Sequence, residues 1–296
     1  MEEISYKNKY NDVLYGNAWE IENPKAIVLI LTGMVEHSAR YNDFATFLNK
    51  NGFSVYCIDH YGQGLGKNGE LGNPGRDFFF KMQETIKDFI LKKKAETSLP
   101  IYLFSHSMGS FMAQGFIEKY SRILDKVVLC GTNGRNPLIK LGYLYTKIFI
   151  NSYNYNKKAG FIHTLAIGAY EKSVKDRTNP NDWLSFNKEN VQKYSDDPYS
   201  GYRPTNGFYK EFMKGMISIQ KSKNIKDISK KLKILIIGGG SDPVGNFSKG
   251  LKKLYKLYKK HDLNVDLIVY KNMRHEILNE KDNKKVYDDI VAFFNN

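Results

Sequence analysis

Apolar runs of strand length alternate with helix-like patterns along most of this chain. Strands are predicted near residues 3–7, 12–21, 26–32, 54–59, 101–106, 126–131, 233–238 and 265–271. Apolar positions at three- and four-residue spacing predict helices at 40–51, 78–96, 108–121, 209–221, 246–260 and 281–294. Strands that alternate with helices build a parallel sheet covered on both faces. The pattern therefore predicts an α/β fold with a mostly parallel eight-stranded sheet, in which the first hairpin adds antiparallel edge strands.

The alternation stops between the strand that ends near residue 131 and the helix that starts near residue 208. Roughly 75 residues intervene without a strand–helix repeat, which is too long for a loop inside a compact domain. We therefore predict a core domain formed by residues 1–132 and 208–296, with a mainly helical cap inserted at residues 133–207. The cap begins with an apolar and aromatic segment, from Pro137 to Ile150.

A serine lies at the point where an apolar strand pattern changes to a helical one. Ser105 and Gly109 are the small residues two positions before and after Ser107. Because a serine hydroxyl is a weak nucleophile at neutral pH, enzymes that use one hold it on a tight strand-to-helix turn beside a base. Ser107 is thus a candidate nucleophile. Ser105 replaces the first glycine of the G-x-S-x-G pattern, so this turn taken alone also fits an ordinary strand-to-helix connection.

Two further polar side chains follow predicted strands. The strand at residues 233–238 runs into a glycine-rich loop that carries Asp242, a candidate orienting acid. The strand at residues 265–271 is followed by His275, a candidate base. The order along the chain is therefore serine, aspartate, histidine, which is the order in α/β-hydrolases and differs from the orders in chymotrypsin and subtilisin.

The chain resembles the α/β-hydrolase family, and within it the serine hydrolases of monoacylglycerol lipase and lysophospholipase type. The resemblance spans most of the sequence. It is carried by residues 33–41 (GMVEHSARY), 59–64 (DHYGQG), 105–109 (SHSMG), 242–244 (DPV) and 275–280 (HEILNE).

The resemblance implies a catalytic triad and an oxyanion hole. Ser107 would attack an ester carbonyl, His275 would take its proton, and Asp242 would orient the imidazole. By family geometry, the backbone N–H groups of Met34 and Met108 would bind the oxyanion. No cofactor is implied, and no cluster of residues has metal-ligand spacing.

The chain departs from the family pattern at two positions. Thr32 stands where the family has histidine, and Ser105 stands where it has glycine. Neither position supplies a triad side chain, so these departures bear on loop geometry and substrate preference. Lipases of this family build the roof of an acyl-chain pocket from the inserted segment. Leu141, Leu144 and Ile148 are accordingly expected to bind the acyl chain, although they could equally pack the cap onto the core.

Other polar residues of the family segments are expected to have structural roles. Glu36 and His37 would hold the shape of the oxyanion loop, with Arg40 as a partner, and His106 would pack or hydrogen-bond rather than act as the base. A glycine-rich segment ends at Gly66, but its glycines lack the spacing of a dinucleotide-binding fingerprint.

The net charge of +14 invites a nucleic-acid hypothesis, but the lysines are spread along the chain and no nucleic-acid module pattern is present. The densest basic stretch is residues 249–260, where lysines interleave with an apolar stripe. This pattern favours a solvated surface helix packed on a sheet, with a patch for anionic lipid surfaces as the alternative.

No secretory signal or membrane-spanning run is predicted, and the cytoplasm is the default compartment. In the sheet order that the resemblance implies, the strands of Cys57 and Cys130 are not adjacent, so two reduced buried thiols are expected. The expected activity is hydrolysis of carboxylic acyl esters such as monoacylglycerols or lysophospholipids. An amidase, thioesterase or peptidase using the same triad is the alternative, and a non-catalytic binding protein is less favoured.

Overall fold

A computed structural model describes residues 1–65, 69–175 and 177–296; Gly66, at the end of the glycine-rich segment, lies outside the described residues. The strands are β1 (Glu2–Lys7), β2 (Val13–Trp19), β3 (Ala26–Leu31), β4 (Phe53–Ile58), β5 (Ile101–His106), β6 (Lys126–Cys130), β7 (Lys233–Gly239) and β8 (Val265–Tyr270). They form one eight-stranded sheet in the order β1-β2-β4-β3-β5-β6-β7-β8. β2 pairs antiparallel with β1 and β4, and the other pairings are parallel. The predicted fold class is confirmed.

Helices occupy the segments between the strands. They are α1 (Asn42–Lys50), α2 (Phe78–Glu96), α3 (Met108–Tyr120), α4 (Leu138–Phe149), α5 (Phe161–Ala166), α6 (Gly168–Lys172), α7 (Lys188–Asp196), α8 (Asn206–Ser218), α9 (Ser222–Ile225), α10 (Lys249–Lys259) and α11 (Asn283–Asn295). Short 3-10 turns at Ser38–Tyr41 and Pro180–Trp183 carry residues of the site described below.

The central strands are apolar throughout because both faces of the sheet are covered. Along β3, Ile27 and Leu29 point into the layer that contains α2 and α3, whereas Val28 and Ile30 point into the layer that contains α1 and α11. All four are at most 4% exposed. Each such side chain contributes about 1.5 to 3 kcal/mol when it is fully buried. This two-layer core fixes the strand ends from which the site is built.

The interval that interrupts the strand–helix alternation lies between β6 and β7. Its described residues contain α4 to α7, followed by α8, which packs against α2, α3 and α4. Helical structure therefore fills the segment that the sequence predicts as an insertion. The division into a core and a cap at residues 133–207 stays an interpretation.

Two predictions about surface and core residues can be compared directly with the structure. Cys57 on β4 and Cys130 on β6 are buried and free, and β3 and β5 separate their strands. On α10, Leu251 and Leu254 are buried against the sheet while the lysines are exposed. α10 thus has the form of a solvated surface helix. Within the described ranges, no helix is both long and apolar enough to cross a membrane.

Candidate active site

The nucleophile turn joins β5 to α3. Ser107 adopts a φ of +50°, a strained conformation for a residue with a side chain, and α3 begins at the next residue. A Cβ atom on Gly109 would lie 2.5 Å from the carbonyl oxygens of Leu31 and Thr32, so only glycine allows α3 to approach β3 this closely. Ser105 is fully buried and its hydroxyl donates to the Val128 carbonyl at 2.7 Å. That hydrogen bond explains how serine replaces glycine there.

The structure brings Ser107, His275 and Asp242 together at the carboxyl edge of the sheet. The Ser107 hydroxyl lies 2.8 Å from Nε2 of His275, and Nδ1 of His275 lies 3.0 Å from Oδ2 of Asp242. Asp242 and His275 are buried, whereas Ser107 is partly exposed. The other oxygen of Asp242 accepts the Val244 N–H at 2.8 Å, which fixes the carboxylate. An accessible hydroxyl is thus backed by a shielded histidine and a fixed acid.

The two expected oxyanion donors belong to the helix start that follows Ser107 and to the loop beside this turn. Met108 is the first residue of α3, where backbone N–H groups have no partner within the helix. Met34 follows Gly33, and a Cβ atom on Gly33 would lie only 3.3 Å from Cβ of Ser107. The loop at residues 33–36 therefore touches the nucleophile turn. Oxyanion binding by Met34 and Met108 stays a prediction.

Comparison with known proteins supplies the family. A family model described as serine aminopeptidase, S33, matches residues 22–282. The chain belongs to this family of α/β-hydrolases. It is 24% identical over 284 residues to a monoacylglycerol lipase of Mycolicibacterium smegmatis, covering 92% of this chain and 88% of that protein. It is 35% identical over 104 residues to a monoglyceride lipase homolog of Monkeypox virus, covering 35% of this chain but only 37% of the viral protein.

Solved structures with the same architecture superpose on nearly the whole chain. A thermostable carboxyl esterase from Bacillus coagulans in complex with glycerol superposes with a TM-score of 0.87 at 27% identity, covering 99% of this chain and 97% of that chain. A monoglyceride lipase from Saccharomyces cerevisiae has a TM-score of 0.77 at 16% identity, covering 99% and 94%. The second likeness shows the fold alone.

A buried ion network lies behind the histidine of this α/β-hydrolase. The guanidinium of Arg40 donates two hydrogen bonds of 2.9 Å to the carboxylate of Glu276 and one of 2.5 Å to Glu36. Asn190 of α7 also donates to Glu276, at 2.7 Å. Glu36 and Glu276 are 3% and 4% exposed, so Arg40 joins two almost fully buried carboxylates. The expected Glu36–Arg40 pairing is confirmed, and Glu276 is its additional member.

Opposing effects set the charge states in this network. Burial alone would raise the pKa of Glu36, but hydrogen bonding with His106 and the charge of Arg40 outweigh it and hold the pKa well below its usual value. Burial is likewise outweighed at Glu276 by Arg40, which lowers its pKa. For His106, burial would lower the pKa, but the hydrogen bond with Glu36 raises it overall. Both carboxyl groups are therefore ionised at neutral pH.

Aromatic rings enclose the candidate base. The Trp183 ring lies 5.2 Å from that of His275 at an interplanar angle of 35°, and the His106 ring lies 4.7 Å away at 43°. Together they hold the imidazole in place. His106 makes no contact with the serine hydroxyl among the hydrogen bonds of the described residues, in agreement with its expected packing role.

The apolar residues expected to bind the acyl chain lie on the exposed face of α4. Leu141, Leu144 and Ile148 are 64%, 53% and 64% exposed, whereas Gly142 and Thr146 form the buried side of α4. The helix turns its small residues toward α8 and its leucines outward, so these three side chains are mostly exposed and do not pack the cap onto the core. Acyl-chain binding by Leu141, Leu144 and Ile148 stays a prediction.

Sequence reasoning missed several residues that surround the triad. Glu276 and Gln63 lie inside family segments, but their side-chain partners are far away along the chain. Trp183 lies in the irregular interval, where periodicity gives no signal. In the sequence, the apolar neighbours Ile277 and Leu278 could have indicated that the Glu276 carboxylate is buried, as it is in the structure.

Proposed function

We propose that the protein is a serine hydrolase that cleaves carboxylic acyl esters of monoacylglycerol or lysophospholipid type through an acyl-enzyme intermediate. The single observation that carries this proposal is the hydrogen-bonded chain from Ser107 through His275 to Asp242, with Ser107 partly exposed. The names of the relatives, a monoacylglycerol lipase and a carboxyl esterase among them, support the ester class.

The reaction follows from this geometry in two steps. His275 removes the proton as Ser107 Oγ attacks the ester carbonyl, and Asp242 stabilises the imidazolium that forms. The negative oxygen of the tetrahedral intermediate points toward the N–H groups of Met34 and Met108. Collapse of the intermediate passes the proton from His275 to the leaving alcohol and leaves Ser107 acylated. A water molecule activated by His275 then releases the acid and restores the free hydroxyl.

An aminopeptidase is the second candidate, because the matching family model carries that description. Such an enzyme holds the substrate's free ammonium group against a carboxylate. The buried carboxylates around His275 are already engaged, since Asp242 pairs with His275 itself while Glu36 and Glu276 share the guanidinium of Arg40. This engagement favours esters over peptides with a free amino terminus.

Turnover of matched substrates separates the two candidates. We expect p-nitrophenyl esters with acyl chains of two to twelve carbons to be hydrolysed, and aminoacyl p-nitroanilides to be turned over far more slowly. Catalytic efficiency should rise with acyl length, by up to about 0.8 kcal/mol for each methylene that is buried. Initial rates for both series, with Ser107→Ala as the blank, provide the measurement. Faster turnover of the anilides would replace the ester proposal by the aminopeptidase.

The exposed face of α4 supports a lipid-bearing substrate. Leu138, Leu141, Leu144 and Ile148 repeat at three- and four-residue spacing and are all more than half exposed. Lys140 and Lys147 lie on the same helix and can contact anionic headgroups. Within the proposed cap, this face is a better candidate for transient contact with lipid aggregates than α10, whose apolar side chains are turned inward onto the sheet.

A charge placed on this face should affect lipid substrates selectively. Ile148→Glu is expected to leave hydrolysis of a soluble acetate ester unchanged, and to lower turnover of long-chain monoacylglycerol in vesicles, because a carboxylate opposes insertion of the face. Leu91→Glu on α2 is the matched control, since Leu91 is also an exposed leucine, at 43%. Equal effects of Ile148→Glu on the soluble and vesicle substrates would contradict a lipid-contacting role.

A further inference from the structure

The oxyanion loop contains a strained residue. Val35 adopts a φ of +53°, in the left-handed region where β-branched side chains are genuine outliers. Such strain persists only where the surroundings over-determine the backbone, and it concentrates at functional sites. The residue that precedes it is Met34, whose N–H is the expected oxyanion donor. The Met34 N–H belongs to the same peptide group as the Gly33 carbonyl, so contacts that hold this carbonyl and the strained Val35 set where the N–H points.

One side chain binds the backbone of this loop at three points. Oε1 of Gln63 accepts the Val35 N–H at 2.8 Å, while Nε2 donates to the Gly33 carbonyl at 3.0 Å and to the Glu36 carbonyl at 3.2 Å. Gln63 is only 2% exposed. The amide oxygen therefore faces a backbone N–H group, and the amide nitrogen faces two backbone carbonyl groups. The three contacts thus fix both the orientation of the amide and the curvature of the loop.

Other groups hold the remaining sides of the loop. The Val35 carbonyl accepts the Gly201 N–H at 2.9 Å, from the segment that leads into α8. A carboxylate oxygen of Glu36 accepts the Gly33 N–H within the loop itself. Among these contacts, Gln63 is the side chain from outside the loop that reaches residues on both sides of Met34. The strained conformation would open if those bonds were lost.

We propose that Gln63 is a positioning residue for the reaction, which aims the Met34 N–H at the oxyanion by clamping Gly33, Val35 and Glu36. This inference rests on the proposed function, because an oxyanion forms only if Ser107 attacks a carbonyl group. Gln63 itself does not touch the substrate. Its contribution should appear in the rate of bond formation and not in substrate affinity.

An isosteric variant tests the clamp. Gln63→Glu keeps the size and the Val35 contact, but it loses both donors and turns a carboxylate oxygen toward two carbonyls. We expect kcat for carboxylic esters to fall by about 10- to 100-fold with KM nearly unchanged, because displacement of a catalytic group by about 1 Å has an effect of that order. The matched control is Gln83→Glu on α2, a 1% exposed glutamine whose Nε2 donates to the Met112 carbonyl at 3.1 Å.

A comparison of oxygen and sulfur substrates separates positioning from general damage. Sulfur is a larger and poorer hydrogen-bond acceptor than oxygen, so an intact oxyanion hole prefers an ester to the corresponding thionoester. Gln63→Glu should reduce this preference, whereas Gln83→Glu should retain it. A structural role alone would lower both rates in proportion and leave their ratio unchanged.

Relief of the strain provides a rescue. Glycine tolerates positive φ, so Val35→Gly lets the loop keep its shape with fewer restraints. In the Gln63→Glu background, Val35→Gly should recover part of the lost kcat, while in the Gln83→Glu background it should recover nothing. If Gln63→Glu does not fold, Gln63→Met with and without Val35→Gly makes the same comparison without the added charge.

The outcomes distinguish this inference from the proposed function. A folded Gln63→Glu variant with wild-type kcat and wild-type oxygen preference would overturn the positioning role. A wild-type protein that hydrolyses no ester would contradict the proposed function instead. In that case amide hydrogen exchange over residues 33–37 tests whether Gln63 holds the loop. Faster exchange in Gln63→Glu than in Gln83→Glu supports this role of Gln63, and equal exchange overturns it.

Discussion

Replacement of Ser107 by alanine is expected to lower kcat for p-nitrophenyl esters by about 10⁴- to 10⁶-fold, with the fold intact. In the proposed mechanism the hydroxyl oxygen is the atom that attacks, and the residual rate would come from the oxyanion donors and substrate binding alone. His275→Ala should cause a loss of the same order, because the serine hydroxyl then has no base at 2.8 Å. The two losses should not add in the double variant, since the residues act as one unit.

Covalent labelling checks the same assignment independently of turnover. A fluorophosphonate should modify one site, Ser107, and the label should be absent from Ser107→Ala. Ser121→Ala is the matched control, because Ser121 also flanks α3, at its other end, but is buried and its hydroxyl accepts the Ser229 N–H at 2.9 Å. Wild-type turnover by Ser107→Ala, or labelling at another residue, would remove Ser107 from the role of nucleophile.

Asp242→Asn should lower kcat by about 10⁴-fold, because an amide can donate to Nδ1 of His275 and so stabilise the unproductive tautomer.

Replacement of Arg40 by methionine is expected to lower the free energy of unfolding by about 3 to 5 kcal/mol, because it leaves Glu36 and Glu276 buried without their cation. Arg40→Lys should recover part of the loss, since an ammonium supplies charge but not the two parallel hydrogen bonds to Glu276. Activity should fall as well, because Arg40 joins the loop of Met34 to the residue that follows His275. Urea denaturation and ester kinetics on the same samples measure both effects.

The control for this prediction is a solvent-exposed ion pair on the protein surface. Lys284 and Asp288 are 2.6 Å apart, but their side chains are 78% and 50% exposed. Lys284→Met should change the free energy of unfolding by no more than about 0.5 kcal/mol. If Arg40→Met lowers the free energy of unfolding no more than Lys284→Met does, then the buried Arg40 network contributes no more to stability than an exposed ion pair.

The Arg40 effect should also depend on pH. The pKa values of Glu36 and Glu276 are lowered in the folded protein, so their contribution to stability is present above the ordinary glutamate value and is lost as the pH falls through the folded values. In Arg40→Met the unpaired carboxyl groups can take up protons at milder acidity and escape the cost of a buried charge. The difference in unfolding free energy between wild type and variant should therefore be largest at neutral pH and narrow on acidification.

The sequence by itself determined the architecture and the order of the reactive groups. Apolar periodicity is a local property, so β3 and α3 could be placed from their own residues. Ser107, Asp242 and His275 each lie within five residues of the end of a strand, and parallel strands end at one edge of a sheet. Local pattern and chain order were therefore enough to predict that the three residues lie close together.

The tertiary structure alone decided which side chains support that site. Gln63 and Arg40 bind partners in loops that the fold brings together, and hydrogen-bond geometry of this kind leaves no periodic trace in a sequence. The outward turn of Leu141 on α4 depended on Gly142 meeting Met213 across a helix contact. A hydrophobic run predicts that a segment is partly buried, but the packing of neighbouring helices and strands determines which face of the segment is covered.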